Sequence, residues 1–283
     1  MGLPFTADQF FDVFAAYNRL LWPVALGLWL YALGGAVVLG RSRDSSRFIA
    51  TLLAVQWAWA GLAYHATFFT RINPAAWLFG GLFLLQSALF VWFGIVRDQL
   101  HFSRSGSAGH GVAWILLVYS LIYPIIVQAE GHALPEAPTF GVPCPTTLLT
   151  VGFLFAATPP WPRAVAVVPV LWAFVAGSAA SPLGVRADLM LWVAGAALLL
   201  KTLMAARSRV RVRDIRSSES DHGRGRNRWQ APGQNSAAPG NISACSPSRS
   251  GDARGLSAPG DLQRSVRVPL ACGTIPLARR KTR

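Results

Sequence analysis

The chain has 283 residues, of which 53% are hydrophobic and 13% charged, against roughly 25% charged in an ordinary soluble domain. Its formal charge of +14 is unevenly placed: 17 Lys and Arg against 5 Asp and Glu fall from Lys201 onward, while residues 1–200 hold 9 basic and 7 acidic side chains. A nearly neutral apolar body with a basic tail excludes a globular nucleic-acid binder and points to lipid as the solvent of residues 1–200.

At the N-terminus, Met1 to Asn18 lacks a basic n-region and carries Asp8 and Asp12, which is not the pattern of a cleavable signal. Thr6-Ala7-Asp8-Gln9 reads as a capping box. Phe10, Phe11, Phe14 and Tyr17 then recur at helical spacing. Residues 1–19 are therefore expected to form an interfacial helix on the outer leaflet.

A helix needs about 20 apolar residues to cross the hydrocarbon core. Charged punctuation predicts spans over residues 20–39, 48–69, 75–96, 111–127, 146–158, 164–180 and 183–200. The fifth is short for a crossing and is compatible with a re-entrant segment. Lys and Arg of short loops favour the cytoplasmic side. With seven spans one side receives Arg41, Arg43, Arg47, Arg97, Arg104, Arg163 and the tail, and the other only Arg19, Arg71 and Arg186. The expected fold is thus an all-α, polytopic bundle of about seven spans, N-terminus outside and C-terminus inside. Trp22, Trp77, Trp114, Trp161 and Trp192 fall near the expected interfaces, where amphipathic rings are best accommodated.

Residues 201–283 are rich in Ser, Gly, Pro and Arg, a composition expected to stay disordered. Arg207, Arg209, Arg211, Arg213 and Arg216 follow the last span, where they would meet anionic lipid head groups. With Trp229 as its one aromatic residue, the tail lacks the interleaved rings of a nucleic-acid binder, and no nucleic acid is expected as a partner.

No Asp, Glu, Lys or Arg lies well inside the first six spans, and the seventh carries Arg186 and Asp188 at its start. That counts against a proton-coupled carrier, which places ionisable groups at mid-depth. Gln56 and Gln86 do lie at depth in adjacent spans and are expected to make interhelical hydrogen bonds. The small-residue steps Ala173, Gly177 and Ser181 read as helix packing. His101 and His110 read as solvated loop residues on the inner side.

The chemistry-bearing residues gather on the outer side. Tyr64 and His65 end the second span, and Asn73 lies in the next loop. Glu130, His132, Glu136, Thr139 and Cys144 occupy the long loop before the fifth span. Imidazole, carboxylate and thiol are groups that bind metals or move protons, but no fixed-spacing motif joins them. Cys144, Cys245 and Cys272 form no C-x-x-C pair, so no disulfide framework follows.

The run Gly131-His132 with Pro138-Thr139-Phe140-Gly141-Val142-Pro143-Cys144-Pro145-Thr146-Thr147 resembles a family of uncharacterised bacterial multi-pass membrane proteins. Leu3-Pro4-Phe5-Thr6, Trp57-Ala58-Trp59-Ala60-Gly61-Leu62-Ala63-Tyr64-His65 and Ile72-Asn73-Pro74-Ala75-Ala76 carry the same resemblance. It covers about residues 1–200 and implies a bacterial inner-membrane protein without an assigned activity. Three functions stay open: a binder of a small ligand, lipid or partner subunit at an outer pocket, with no cofactor; a metal- or haem-dependent enzyme using His65 and His132; and a transporter of a neutral solute.

Overall fold

The computed structural model describes residues 4–41, 45–103 and 109–205. Arg43, Arg104, the Arg207–Arg216 cluster, Cys245, Cys272 and the rest of the tail lie outside the described residues.

The described residues are helical apart from their connecting loops and one isolated bridge between Phe102 and Ala157. In chain order they form α1 (Ala7–Arg41), α2 (Ser46–Trp59), α3 (Ala76–Phe90), α4 (His110–Ala129), α5 (Pro143–Ala156), α6 (Ala164–Leu183) and α7 (Arg186–Ala205). α2 continues as a π-helix over Ala60–Phe68 and a 3-10 turn over Phe69–Arg71, and α3 as a π-helix over Val91–Val96. Five helices are long and apolar enough to cross a membrane: α1, α3 extended to Val96, α4, α6 and α7.

The first helix differs from its expectation. The capping box forms, with the Thr6 amide donating to Gln9 Oε1 at 2.9 Å and the Gln9 amide to Thr6 Oγ1 at 3.2 Å. No separate interfacial helix follows it. The chain runs 35 residues without a break, about 52 Å at the α-helical rise. Phe10, Phe11, Phe14 and Tyr17 are buried against protein, while Asp8 and Asp12 are exposed on the same turns. Polar residues on one face do not interrupt a helix whose other face is packed.

α5 is the core element: every residue from Pro143 to Ala156 is buried. Two of its three threonines need no water there, since the Thr147 and Thr150 hydroxyls donate to the Pro143 and Thr146 carbonyls one turn back. Spanning about 21 Å, α5 is shorter than the hydrocarbon thickness, but its neighbours α2, α4 and α6 shield it. The outward-facing apolar surface is carried by α1, α3, α4, α6 and α7, with Leu26, Leu78, Ile115, Ile125, Val167 and Val193 all exposed.

Polar and small residues tie the bundle together. Gln56 Nε2 donates to the Leu28 carbonyl of α1 and Gln86 Nε2 to the Val165 carbonyl of α6, each at 2.9 Å. Each amide thus joins its own helix to a third one, and the two do not bond each other. Ala173 and Gly177 of α6 pack on Gly195 and the Trp192 ring of α7, while Ser181 is exposed. Trp22, Trp77 and Trp192 are exposed, but Trp161 is 96% buried, beneath the Lys201 ammonium at 5.8 Å from its ring. His110 is the first residue of α4 and accepts from Trp114 Nε1 at 2.9 Å. His101 is exposed in its loop.

Candidate functional site

The helix ends at one end of the bundle are shaped by three local devices. The first is the turn between α6 and α7. Gly184 takes φ +74°, the Val185 amide donates to the Ala180 carbonyl and the Gly184 amide to that of Ser181. This is a Schellman closure, which needs a left-handed residue just past the helix. It reverses the chain within two residues and starts α7 with Asp188 turned into protein.

The second device is the π-helix over Ala60–Phe68, which carries Tyr64 and His65. π segments are rare and recur at functional sites. Here the segment meets α3 backbone to backbone: a Cβ on Gly61 would lie 3.1 Å from the Gly80 carbonyl oxygen, and one on Gly80 3.2 Å from that of Gly61.

The third device holds the loop between α4 and α5. Tyr17 OH donates to the Phe140 carbonyl at 3.0 Å and itself accepts from Trp59 Nε1 at 2.8 Å. Asn18 Nδ2 donates to the carbonyls of Pro135 and Ala137, and Thr139 Oγ1 donates to Asn18 Oδ1. Gly141 sits against this strap with φ +85°, where a Cβ would strike Tyr17, Trp59 and Leu28.

Between these devices lies a cavity of about 180 Å³. Its lining comes from the start of α1 (Pro4, Phe5, Phe10, Phe14), the π-helix and its exit (Tyr64, His65, Phe69, Asn73) and α3 (Phe79). It is completed by the start of α5 (Pro143, Cys144), the second half of α6 (Trp172 to Leu183) and Asp188 of α7. The walls are mainly aromatic. Tyr64 stacks between Phe14 at 5.4 Å and Phe69 at 5.6 Å.

His65 is fully buried and framed edge-on by the rings of Tyr64, Phe69, Phe79, Phe83 and Trp172, at centroid distances from 4.7 Å for Phe83 to 5.9 Å for Phe69 and Phe79. Neither imidazole nitrogen has a hydrogen-bond partner, and the same holds for the indole nitrogen of Trp172. Buried polar atoms are paired in the great majority of cases, so an unpaired imidazole and an unpaired indole lining one cavity form an exception that calls for a partner.

Asp188 is 96% buried. Tyr123 OH donates to its Oδ1 at 2.5 Å, and the Cys144 thiol lies 3.4 Å from its Oδ2. Tyr119 of α4 donates to the adjacent Ala187 carbonyl at 2.9 Å. The first turn of α7 is thereby locked to α4, and the carboxyl group has one orientation.

Of the residues singled out in the sequence, Tyr64, His65, Asn73 and Cys144 meet at this cavity. Asn73 also shapes the turn into α3, its Oδ1 accepting from the Ala75 amide at 3.0 Å. Thr139 belongs to the loop strap and borders a separate hollow with Asn18 and Trp22. His132 does not line the cavity; it stacks on Phe11 at 4.0 Å. Glu136 is exposed, and Glu130 is half-buried, within electrostatic range of Asp188. Among the described residues no group of three or more His, Cys, Asp or Glu is placed to hold a metal ion.

Sequence reasoning missed Asp188, Tyr123, Trp172 and the Phe wall. Asp188 stood beside Arg186 and read as the charged end of a span. One signal was present: residues two apart on a helix do not face each other. Arg186 and Asp188 therefore point to different sides, and the structure exposes Arg186 and buries Asp188.

A family described as "Family of unknown function (DUF6064)" matches residues 7–213, and the chain belongs to that family. No curated protein and no solved structure matches it.

Proposed function

We propose that this member of a family without an assigned activity is a seven-span protein of a bacterial cytoplasmic membrane that binds a small ligand in its aromatic cavity. The observation that carries the reading is the unpartnered His65 imidazole lining a cavity with Trp172 and the fixed Asp188 carboxyl. The size argues for a small occupant. An engineered apolar cavity of about 150 Å³ holds benzene, so about 180 Å³ suits one ring with a few further atoms. A lipid tail or a partner helix would need far more room.

Seven crossings with the cavity outside have independent support. The cavity gathers the starts of α1, α3, α5 and α7 and the ends of α2 and α6, as alternating passes require. The far ends also meet: the Phe102 amide donates to Ser46 Oγ, the Thr158 amide to the His101 carbonyl, and Lys201 Nζ to the carbonyls of Leu154 and Phe155. α5 therefore runs from one set of ends to the other and counts as a pass despite its length. Arg41, Arg47, Arg97 and Arg163 lie at the ends away from the cavity, against Arg19, Arg71 and Arg186 near it, which by the positive-inside rule makes the cavity extracytoplasmic. On this reading the Arg207–Arg216 cluster meets anionic lipid at the inner surface.

Topology is tested with reporters, one inserted near Glu136 and one fused after Arg216. The first should report outside and the second inside, and the reverse pattern overturns the orientation. Binding is tested by thermal unfolding in nanodiscs against a set of single-ring compounds, beside Ala176→Phe, whose new ring would fill the cavity. A ligand at 100 times its Kd stabilises by about 2.7 kcal/mol. The wild type should show such shifts and the filled variant none; equal shifts in both would reject the cavity as the site.

A further inference from the structure

We infer that the molecule this cavity takes is a small organic cation, an amine or quaternary ammonium with an apolar or single-ring body. The inference rests on the ligand-binding reading above and names the chemistry that the cavity selects.

Charge is the first argument. Among the described residues Asp188 is the one carboxyl group lining the cavity, and neither Lys nor Arg lines it. Among the described residues the one ion pair joins Arg47 and Asp98, at 3.5 Å. Asp188 thus has neutral hydrogen-bond donors, Tyr123 and Cys144, and no cation. A buried carboxylate without a counter-charge is costly to hold, and such groups are normally paired. The two donors fix its direction but take one lone pair from each oxygen, and each oxygen has two. A ligand cation would supply the missing charge and use what remains.

The walls give the second argument. Phe5, Phe14, Tyr64, Phe69, Phe79 and Trp172 surround the space next to that carboxyl group. A cation within about 6 Å of a ring face is attracted by the ring quadrupole, most strongly by Trp. Aromatic walls with a single acid are the pairing that recognises ammonium groups, because the rings hold the charge and the methyl or methylene shell together. An anion would meet Asp188 with no opposing cation among the described residues of the lining. His65 offers an uncharged acceptor nitrogen for a ligand N–H.

The test uses the full-length protein in nanodiscs and calorimetric titration with four probes: benzylamine, which is protonated at neutral pH, benzyl alcohol, benzoate and tetramethylammonium. Benzyl alcohol has the same number of heavy atoms as benzylamine and no charge. The expected result is benzylammonium binding about tenfold tighter than the alcohol, measurable tetramethylammonium binding and none for benzoate. Asp188→Asn should bring benzylammonium down to the level of the alcohol and leave the alcohol unchanged. Equal affinities for ammonium and alcohol in the unaltered protein would overturn the cation inference while leaving the ligand-binding reading standing. Binding of none of the four would overturn both. Should Asp188→Asn fail to fold, the four-probe series on the unaltered protein decides, joined by Trp172→Leu. That variant should weaken tetramethylammonium about fivefold or more, since it removes the strongest ring; unchanged tetramethylammonium affinity would count against the aromatic cage.

Discussion

The two ends of α5 handle polarity in opposite ways. At its finish the last carbonyls are taken up: Lys201 Nζ reaches those of Leu154 at 2.7 Å and Phe155 at 2.9 Å, and the Ala156 carbonyl accepts from the Ser103 amide at 3.2 Å. A cation there also opposes the negative end of the helix dipole. At its start, the strap of Tyr17 and Asn18 satisfies the loop, yet the adjoining cavity leaves His65 and Trp172 open. Among the described residues His65 is the one side chain with two buried atoms lacking a partner. Stability is thus concentrated at the finish of α5, which is an anchor, whereas the start is a site built beside an anchor.

The largest effect is expected where the anchor at the site end is broken. Gly141→Val would add a branched side chain at φ +85°, into space held by Tyr17 and Trp59. Backbone strain and overpacking together should cost about 2–4 kcal/mol, read as loss of folded protein or a large drop in Tm. A Val tolerated within 1 kcal/mol would mean that the loop is not strapped as described. Next comes the finish of α5. Lys201→Met removes two charge-assisted hydrogen bonds and should cost about 2 kcal/mol, with ligand affinity at the cavity unchanged. A Lys201→Met variant that loses binding at full stability would show that the two ends are coupled.

The contrast between the ends explains what the sequence disclosed. Some helix starts were legible because a long apolar run between charges favours a helix: α3 and α6 begin within a residue of the expected starts. The continuity of α1 was hidden because Asp8, Asp12 and Arg19 read as punctuation, whereas they share one exposed face with no Gly or Pro before Pro23 to end the helix. At the site, the expected topology sorted residues by end of the bundle but not by lateral position. Tyr64 and Cys144 therefore came to the cavity together, while His132 was drawn off onto Phe11 and Glu136 into water. Asp188 required knowing that α7 starts with a turn that buries one of two adjacent charges. Trp172 required knowing which face of α6 meets the π-helix.

A smaller effect is expected at mid-depth. Gln86→Leu removes the bond to the Val165 carbonyl, but Gln86 Oε1 is itself unpartnered, so part of the loss is offset. Interhelical side-chain bonds in membranes average about 0.6 kcal/mol, and the variant should lose about that much in unfolding titrations. A loss above 2 kcal/mol would mean the amide holds α3 to α6 far more strongly than one bond can.

The smallest change in stability should come at a fully buried polar group, His65. His65 has no hydrogen bond to lose, and its ring contacts are edge-to-face packing. Replacing an unpaired polar group with an apolar one of similar shape is close to neutral or stabilising, and a phenyl ring keeps those edge-to-face contacts. His65→Phe should therefore unfold within about 1 kcal/mol of the wild type, or above it. Its affinity for a ligand that donates to the imidazole should fall about tenfold. This outcome separates a site from an anchor: Lys201→Met loses stability and keeps binding, and His65→Phe does the reverse. If His65→Phe instead destabilised the protein by 2 kcal/mol or more, the imidazole would have a partner inside the fold, and the open end of the molecule would be as closed as the other.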